Sequence, residues 1–235
     1  MALKLIKNLC YRIASPFIRH IALQQNELMS LDIGGEIQRR AMKSTADYVE
    51  KKMGEVDSSD SATAVLDKVM DRVKKEGLIL EFGVYSGQTI NRIARRFPTR
   101  DVFGFDSFEG LPERWRDNHG VGHFKVNRLP KVQRNVGLIK GWFSDTLGDF
   151  LKKHSGPVAF LHVDSDLYSS AKTIFECLEE RIGPGTFIVF DEYFNYPGWE
   201  KGEFMAFQEF VSKTGLSYRY VAYNRRHEQV GVEIE

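Results

Sequence analysis

The sequence predicts an α/β fold in which a doubly wound, mostly parallel sheet carries helices on both faces and ends in an antiparallel hairpin. From residue 78 onward, short apolar runs alternate with helical patterns, and several runs are apolar at every position. Uninterrupted apolar runs are typical of parallel strands, which are buried on both faces. The last two runs, 217–223 and 229–234, instead alternate with a period of two. This alternation indicates the terminal hairpin.

The elements can be assigned in order along the chain. We expect helices over 1–26, interrupted at Pro16, over 31–53, and beyond a cap at Ser59 or Asp60. The strands that follow are predicted at 78–82, 102–106, 136–140, 158–164 and 186–190. The helices that alternate with them are predicted at 88–97, 145–154, 168–182 and 203–213.

Length and composition limit the classes of protein. The chain has 235 residues, which suits one large α/β domain or a domain with an appendage. We therefore divide it into a helical N-terminal extension or lid, residues 1–76, and an α/β domain, residues 77–235. The 33 basic and 32 acidic side chains nearly cancel, so no nucleic-acid-binding surface is expected. Cys10 and Cys177 lack metal-ligand spacing, and we expect a reducing, cytoplasmic location.

The first 26 residues form a basic amphipathic pattern without any Asp or Glu. Charged residues interrupt the apolar positions, so we expect neither a transmembrane segment nor a secretory signal. The pattern predicts a helix that packs on the α/β domain, covers its site as a lid, or meets a second copy in a homodimer. Attachment to a membrane surface or targeting to an organelle is the alternative. The basic residues of this segment are Lys4, Lys7, Arg12 and Arg19.

Four acidic residues follow the ends of two neighbouring predicted strands. Asp164 and Asp166 come at the end of one apolar run, and Asp191 and Glu192 directly follow the next. Because ligands bind at the carboxyl ends of the strands in an open α/β sheet, we expect these acids to share a crevice. Crowded carboxylates repel one another unless a cation holds them, and Mg²⁺ prefers such hard oxygen ligands. The alternative is that the acids only cap the helices that follow.

A glycine-containing turn follows the first strand of the α/β domain, with Glu81, Gly83, Tyr85, Ser86 and Gly87. Glycines at such a turn let the backbone approach a ligand closely. The Gly-x-x-x-Gly spacing is not the dinucleotide pattern, which disfavours a nicotinamide enzyme. Glu81 offers a carboxylate to an ammonium group at the end of a bound cofactor.

Two further segments predict the rest of a nucleoside site. Asp106 and Ser107 end the second strand of the α/β domain, where an acid can accept hydrogen bonds from both hydroxyls of a ribose. Trp142, Phe143 and Ser144 follow the third strand, where an aromatic ring can stack on adenine and a hydroxyl can bond to it. Alternatively, these aromatic residues belong to the core and Ser144 caps a helix.

Five motifs occur in a fixed order. They are Glu81-Phe-Gly-Val-Tyr-Ser-Gly87, Gly104-Phe-Asp-Ser-Phe-Glu-Gly-Leu-Pro112, Gly141-Trp-Phe-Ser-Asp-Thr-Leu147, His162-Val-Asp-Ser-Asp-Leu-Tyr168 and Asp191-Glu-Tyr193. Together, over residues 78–215, they resemble the macrocin O-methyltransferase (TylF-like) family. The resemblance implies a Rossmann-like, seven-stranded sheet and makes residues 77–235 an S-adenosylmethionine-dependent methyltransferase domain. Members of the family are typically Mg²⁺-dependent and methylate sugar hydroxyls on antibiotics and related natural products.

The resemblance also implies a role for each matching position. S-adenosyl-L-methionine is the implied cofactor, and Mg²⁺ is implied at Asp164, Asp191 and Glu192, although many members have Asp in place of Glu192. Asp166 matches the general base, and the implied acceptor is a small-molecule hydroxyl. The candidate cofactor-binding residues are Glu81, Gly83, Tyr85, Ser86, Gly87, Asp106, Ser107, Phe143 and Ser144.

Two loops and three rival functions complete the prediction. The segments 113–130 and 195–199 are predicted to border the acceptor, and the glycines near His119 and His123 argue against a metal-binding histidine pair. A metal-independent methyltransferase for small molecules is the first rival. A nucleotide-binding, metal-dependent hydrolase is disfavoured because no Walker loop follows the first strand. A catalytically silent binding module is the third rival.

Overall fold

One eight-stranded sheet organises the protein. The computed structural model describes residues 2–235, and within the first helix it describes the side chains of residues 14–25 and 28–30. The strands are β1 (Ser58–Ser59), β2 (Leu78–Phe82), β3 (Val102–Asp106), β4 (Val136–Lys140), β5 (Val158–Val163), β6 (Phe187–Phe190), β7 (Tyr218–Asn224) and β8 (Val230–Ile234). The α-helices are α1 (Ala2–Ser30), α2 (Ile33–Lys52), α3 (Ala62–Met70), α4 (Gln88–Arg96), α5 (Phe143–Lys153), α6 (Tyr168–Leu178) and α7 (Glu203–Thr214).

The strand order is β1-β7-β8-β6-β5-β2-β3-β4, and β8 runs antiparallel to both of its neighbours, while the other pairs are parallel. This order confirms the predicted Rossmann-like sheet with its terminal antiparallel hairpin. The chain passes from β2 outward to β3 and β4, then returns to β5 and β6 on the other side of β2. A crevice therefore opens at the carboxyl ends of β2 and β5. The eighth strand escaped prediction because β1 is only two polar residues paired with β7.

The core has two layers, one on each face of the sheet. Leu80 and Phe82 of β2 belong to the layer that is built with α5, α6 and α7. Ile79, which directly precedes Leu80, belongs to the layer that is built with α3 and α4. Every residue of β2 and of β5 is buried. This burial from both sides explains why the two strands are apolar almost throughout in the sequence.

The two N-terminal helices differ in how much of their surface is covered. α1 continues through Pro16, so the predicted interruption there is wrong. Proline removes one backbone donor and bends a helix without having to end it. The large apolar side chains of α1 that the structure describes are exposed, including Phe17 and Leu23. In contrast, α2 buries Ala41 and packs Tyr48 against the core.

α3 packs into one of the two core layers that cover the sheet. Val65 and Val69 of α3 are fully buried in the layer that also contains Ile79. The division of the chain at residue 76, with residues 1–76 as an extension or lid, stays a prediction. In the part of the chain that the structure describes, no helix is both long and apolar enough to cross a membrane.

Candidate functional site

A cavity of about 610 Å³ opens where β2, β3, β5 and β6 end. A volume in this range suits a pocket for a small molecule. Of the predicted site residues, Glu81, Ser86 and Gly87 lie outside the lining. The predicted site residues that line the cavity are Gly83, Tyr85, Asp106, Ser107, Phe143, Ser144, Asp164, Asp166, Asp191 and Glu192. The structure thus brings most of the predicted site to one place, while the role of each residue stays a prediction.

The turn between β2 and α4 passes unusually close to the end of β5. Gly83 has a φ of +95°, and a Cβ added to it would lie 1.7 Å from the carbonyl oxygen of Asp164. Only glycine fits there, both for its backbone conformation and for the space it needs. The turn ends at Gly87, which also has a positive φ of +78° and precedes the first turn of α4. Gly83 therefore shapes the cavity wall, and Gly87 ends the turn behind it.

Asp106 holds this turn in place from the end of β3. Its Oδ2 accepts hydrogen bonds from the backbone N–H groups of Val84 (2.9 Å) and Tyr85 (2.8 Å). Its Oδ1 accepts a third bond from the backbone N–H of Phe108 (2.6 Å). A carboxylate with three backbone donors is held in a single orientation. Asp106 consequently builds the turn in addition to any bond it makes to a ribose.

Glu81 lies beneath the turn, away from the main cavity. It is fully buried, and its Oε1 is 3.0 Å from Nδ1 of His162, while its Oε2 has no partner among the described residues. Burial raises the pKa of Glu81, and the contact with His162 opposes this rise. A second cavity of about 440 Å³ is lined by His162 and Asp191 and by Gln88 at the start of α4. Asp191 lines both cavities.

Phe143 and Ser144, which were predicted to meet adenine from a position before the helix, are the first two residues of α5. α5 begins at Phe143, two residues before the predicted start, and Trp142 is 41% exposed at the cavity. Phe143 packs edge-on against Phe82, with ring centroids 5.1 Å apart. Ser144 donates a hydrogen bond from its Oγ to Oδ1 of Asp145 (3.0 Å). An aromatic ring and a hydroxyl therefore stand at this wall, as the sequence predicted.

The acidic residues meet on the opposite side of the cavity. Asp164, Asp166 and Glu192 each offer an oxygen, and these three oxygens lie within 4.8 Å of one another. Asp191 is not a member of this group, although it lines the same cavity. Its predicted role as a metal ligand stays a prediction. Asp166, the predicted base, is in the group and has a positive φ of +62°.

Burial and mutual repulsion raise the pKa values of this acidic group. Burial, followed by the nearby negative charges, raises the pKa of Asp164 and of Glu192 well above the usual range. Burial also raises the pKa of Asp166 to about 7, and the guanidinium of Arg116 opposes that rise. Glu192 Oε2 is buried and has no hydrogen-bond partner among the described residues. Three hard oxygens, in a group that also contains a buried carboxylate oxygen without a partner, fit a hard divalent cation such as Mg²⁺.

An arginine that the sequence did not single out faces the acidic group. Arg116 lines the cavity, and its Nη1 lies 3.1 Å from Oε1 of the mostly buried Glu228. The guanidinium also stacks on Trp115, 3.6 Å from the ring centroid. Arg116 and Glu228 are 112 residues apart, so no spacing rule could have paired them. The loop 113–130 supplies other lining residues as well, which are Trp115, His119 and Phe124.

The second predicted acceptor loop has a different place. Residues 195–199 do not line the cavity, and Tyr196 and Trp199 are buried. Trp199 donates a hydrogen bond from Nε1 to Oγ of Ser44 (3.0 Å) and packs edge-on against Tyr48. The expectation that this loop borders the acceptor therefore does not match the structure. Its buried aromatic side chains instead form part of the contact between α2 and the rest of the protein.

Fold and site together define a class, the Rossmann-like methyltransferases. The fold is similar to that of CalS11, described as a calicheamicin methyltransferase, with 22% identity, 73% of this chain and 76% of that chain covered, and a TM-score of 0.57. It is also similar to the O-methyltransferase NovP, with 22% identity, 72% and 78% coverage, and a TM-score of 0.53. Within this class, the model of the family Macrocin-O-methyltransferase (TylF) matches residues 60–218. The chain belongs to the macrocin O-methyltransferase family.

Two characterised proteins show the same relationship in sequence. The chain is 32% identical to 8-demethyl-8-(2,3-dimethoxy-alpha-L-rhamnosyl)-tetracenomycin-C 4'-O-methyltransferase of Streptomyces olivaceus, over 50% of this chain and 53% of that protein. It is 27% identical to Mycinamicin III 3''-O-methyltransferase of Micromonospora griseorubida, over 50% and 55% respectively. The chain therefore spans about half the length of the curated relatives it matches.

Proposed function

We propose that this protein transfers a methyl group from S-adenosyl-L-methionine to a hydroxyl oxygen of a small molecule, a sugar or another natural product. The observation that carries the proposal is a single cavity that joins the Gly83 turn and Asp106 to the group of Asp164, Asp166 and Glu192. The first half suits a nucleoside, and the second half suits an acceptor oxygen. The O-methyltransferase names of the relatives support the same reaction.

The cofactor half offers a partner for each part of the nucleoside. S-adenosyl-L-methionine supplies a methyl group on a positively charged sulfur. The close approach of the Gly83 backbone leaves room for the ribose, whose hydroxyls would bond to Asp106. Phe143 and Ser144 would meet the adenine. The second cavity, lined by Gln88 at the start of α4 and by His162, the partner of the buried Glu81, would take the ammonium and carboxylate of the methionine end.

The acidic half would hold a divalent cation and receive a proton. Asp164 and Glu192, with Asp191 beside them, are the residues that would bind Mg²⁺, which lowers the pKa of a bound hydroxyl. Asp166 would take the proton of the acceptor as the general base. Its pKa is about 7 without a cation, and a cation held beside it would lower that pKa, so Asp166 would be ionised and able to accept the proton.

Binding and turnover measurements test this proposal in sequence. We expect calorimetry to show binding of S-adenosylhomocysteine, and binding of Mg²⁺ in a separate titration. Methyl transfer from labelled cofactor to a panel of sugars and vicinal diols should then identify the acceptor, and exhaustive chelation should abolish the transfer. Full activity after chelation would favour the metal-independent rival. Heat from ATP or NAD, with none from S-adenosylhomocysteine, would refute the methyltransferase proposal.

We also propose a homodimer as the state in solution and the cytoplasm as the location. The exposed apolar side chains of α1, such as Phe17 and Leu28, support a partner surface, because large apolar patches are rarely left in water. The free Cys177 agrees with a reducing compartment. Light scattering of the whole chain and of a variant without residues 1–26 tests the dimer. Lost liposome binding, with an unchanged oligomeric state, would instead favour membrane attachment.

A further inference from the structure

A fifth carboxylate lies directly behind the acidic side of the cavity. Glu203 is the first residue of α7 and is fully buried. Its Oε1 accepts hydrogen bonds from the backbone N–H (3.0 Å) and from the hydroxyl (3.1 Å) of Ser165. Its Oε2 accepts a bond from the backbone N–H of Glu192 (3.3 Å). One side chain from α7 thus connects the turn that follows β5 to the turn that follows β6.

These two turns carry the acidic group. Ser165 stands between Asp164 and Asp166, so fixing its backbone and side chain fixes the acids on either side. Asp166 has a φ of +62°, a conformation that is costly for a residue other than glycine and persists only when the surroundings hold it. The bond to the N–H of Glu192 fixes the other turn in the same way. The relative position of all three acids therefore depends on Glu203.

We propose that Glu203 is a positioning residue, which sets the separation of the two turns so that Asp164 and Glu192 can serve one cation with Asp166 beside it. This inference depends on the proposed function. Glu203 touches neither cavity, so it would act through the residues it holds and not on the substrate or the cofactor.

The energetics favour this role over a purely structural one. A buried carboxylate costs several kcal/mol to desolvate, and other carboxylates nearby add to that cost. No lysine, arginine or histidine forms a salt bridge with Glu203 among the described residues, and its hydrogen-bond partners are neutral N–H and O–H groups. Its place at the amino terminus of α7 offsets only part of the cost. A glutamate would be expensive here if it served only to fill space.

The replacement Glu203→Gln tests the idea with almost no change in volume. The glutamine carbonyl can still accept both bonds from Ser165, but its NH₂ group then faces the N–H of Glu192, and two donors cannot bond. The turn after β6 would be released. We expect the affinity for Mg²⁺, titrated alone in a calorimeter, to fall roughly 10- to 100-fold, as it does when the partners of metal ligands are removed. The affinity for S-adenosylhomocysteine should stay near that of the wild type.

Glu200→Gln is the matched control, because this acid is exposed, lies three positions earlier and touches neither cavity. It should leave both affinities unchanged. If Glu203→Gln binds Mg²⁺ as the wild type does, the positioning role is wrong. The role is also wrong if this variant loses both affinities together with its melting temperature, since Glu203 would then serve stability alone.

A second variant covers the case in which Glu203→Gln does not fold. Ser165→Ala removes one of the three hydrogen bonds and leaves Glu203 in place, so we expect a smaller loss of Mg²⁺ affinity with unchanged binding of S-adenosylhomocysteine. Unchanged Mg²⁺ affinity in this variant would contradict the proposal. A wild-type protein that binds S-adenosylhomocysteine but no divalent cation would refute the metal site itself, and the positioning role with it. The two failures are therefore distinguishable.

Discussion

The two halves of the cavity use the same kind of side chain in opposite ways. The nucleoside half is the part of the cavity formed by the Gly83 turn and Asp106. There, Asp106 accepts three hydrogen bonds from backbone N–H groups. In the acidic half, Glu192 keeps a buried oxygen without a partner, and burial raises the pKa of Asp164 and Glu192. A carboxylate that accepts enough hydrogen bonds stabilises the local backbone without a cation. Carboxylates without them are costly to ionise when buried together, and the proposed cation would offset that cost.

The largest effect should follow from changing Asp166, which belongs to the acidic group and is the proposed general base. We expect Asp166→Asn to lower turnover by roughly 10²- to 10⁴-fold, because the general base is lost. Binding of Mg²⁺ and of S-adenosylhomocysteine should persist. Single-turnover methyl transfer and calorimetry measure these quantities.

Asp164→Asn is the comparison for this experiment. It should weaken Mg²⁺ binding and turnover together, with partial recovery in excess Mg²⁺, because a ligand is lost. The oxygens of Asp164, Asp166 and Glu192 lie close enough to serve a single ion. Equal loss of Mg²⁺ binding in both variants would make Asp166 a ligand and would leave the base to be found elsewhere.

The next effect concerns the stability of the cation-free protein as the pH changes. Burial raises the pKa of Asp166 to about 7, compared with about 3.9 for an unfolded aspartate. A group whose pKa is higher in the folded state stabilises the fold fully below its unfolded pKa and loses that contribution as the pH rises through its folded pKa. We expect wild-type protein to lose up to roughly 4 kcal/mol of unfolding free energy from this group between about pH 4 and about pH 7.

Urea unfolding of wild type and Asp166→Asn across this pH range isolates the contribution. The variant has no charge to gain, so its unfolding free energy should exceed that of the wild type progressively as the pH rises. Added Mg²⁺ should reduce the difference, because the cation compensates the charge of the wild-type carboxylate. Parallel pH profiles for the two proteins would show that Asp166 titrates as an ordinary surface acid does.

In the nucleoside half, the corresponding change is Asp106→Ala. It removes the acceptor for the ribose and leaves the N–H groups of Val84 and Tyr85 without their partner. We expect calorimetry to show a loss of about 1.5–3 kcal/mol in S-adenosylhomocysteine binding, with little change for Mg²⁺. Asp101→Ala, at an exposed acid near the other end of β3, should change neither affinity. Equal losses for both ligands would mean that the two halves do not work separately.

The smallest expected effect is that of Ser144→Ala at the adenine wall. The hydroxyl bonds to Asp145 in the structure, so only one neutral hydrogen bond to the cofactor is at stake. We expect a loss of about 0.5–1.5 kcal/mol in S-adenosylhomocysteine binding by calorimetry, and none in Mg²⁺ binding. Ser155→Ala, at an exposed loop position, serves as the control. An unchanged cofactor affinity in Ser144→Ala would support the interpretation of Ser144 as part of the helix start alone.

Much of the fold could be predicted because its strands are buried on both faces. The bounds of β2, β3 and β4 agree with the prediction, and those of β5 and β6 differ by one residue. Continuous apolar runs carry this information locally. β1 and the loop at 195–199 could not be placed, because two polar residues at an edge and a buried aromatic turn have no period of their own. Their positions follow from contacts with β7 and α2.

The residues of the site also fall into two groups, those that the sequence predicts and those that it does not. Residues at strand ends, such as Gly83, Asp106 and Asp164, could be predicted because the topology of an open sheet brings strand ends together. The contacts of Arg116 with Glu228 and of Glu203 with Ser165 could not be predicted. They join residues 112 and 38 positions apart, and neither pair belongs to a motif. Such contacts arise from packing, which a single sequence does not express as a spacing.

The tight backbone contact between Gly83 and Asp164 has a thermodynamic consequence. Since there is no space for even a methyl group between them, the turn that would take the cofactor cannot move toward the turn that carries the acids without displacing it. A ligand that moves one turn must do work on the other. Linkage then requires reciprocity: if S-adenosylhomocysteine changes the affinity for Mg²⁺ by some factor, Mg²⁺ must change the affinity for S-adenosylhomocysteine by the same factor. The contact thus gives the two proposed sites a direct route for coupling, and titrations of either ligand in the presence of the other would measure the same coupling factor.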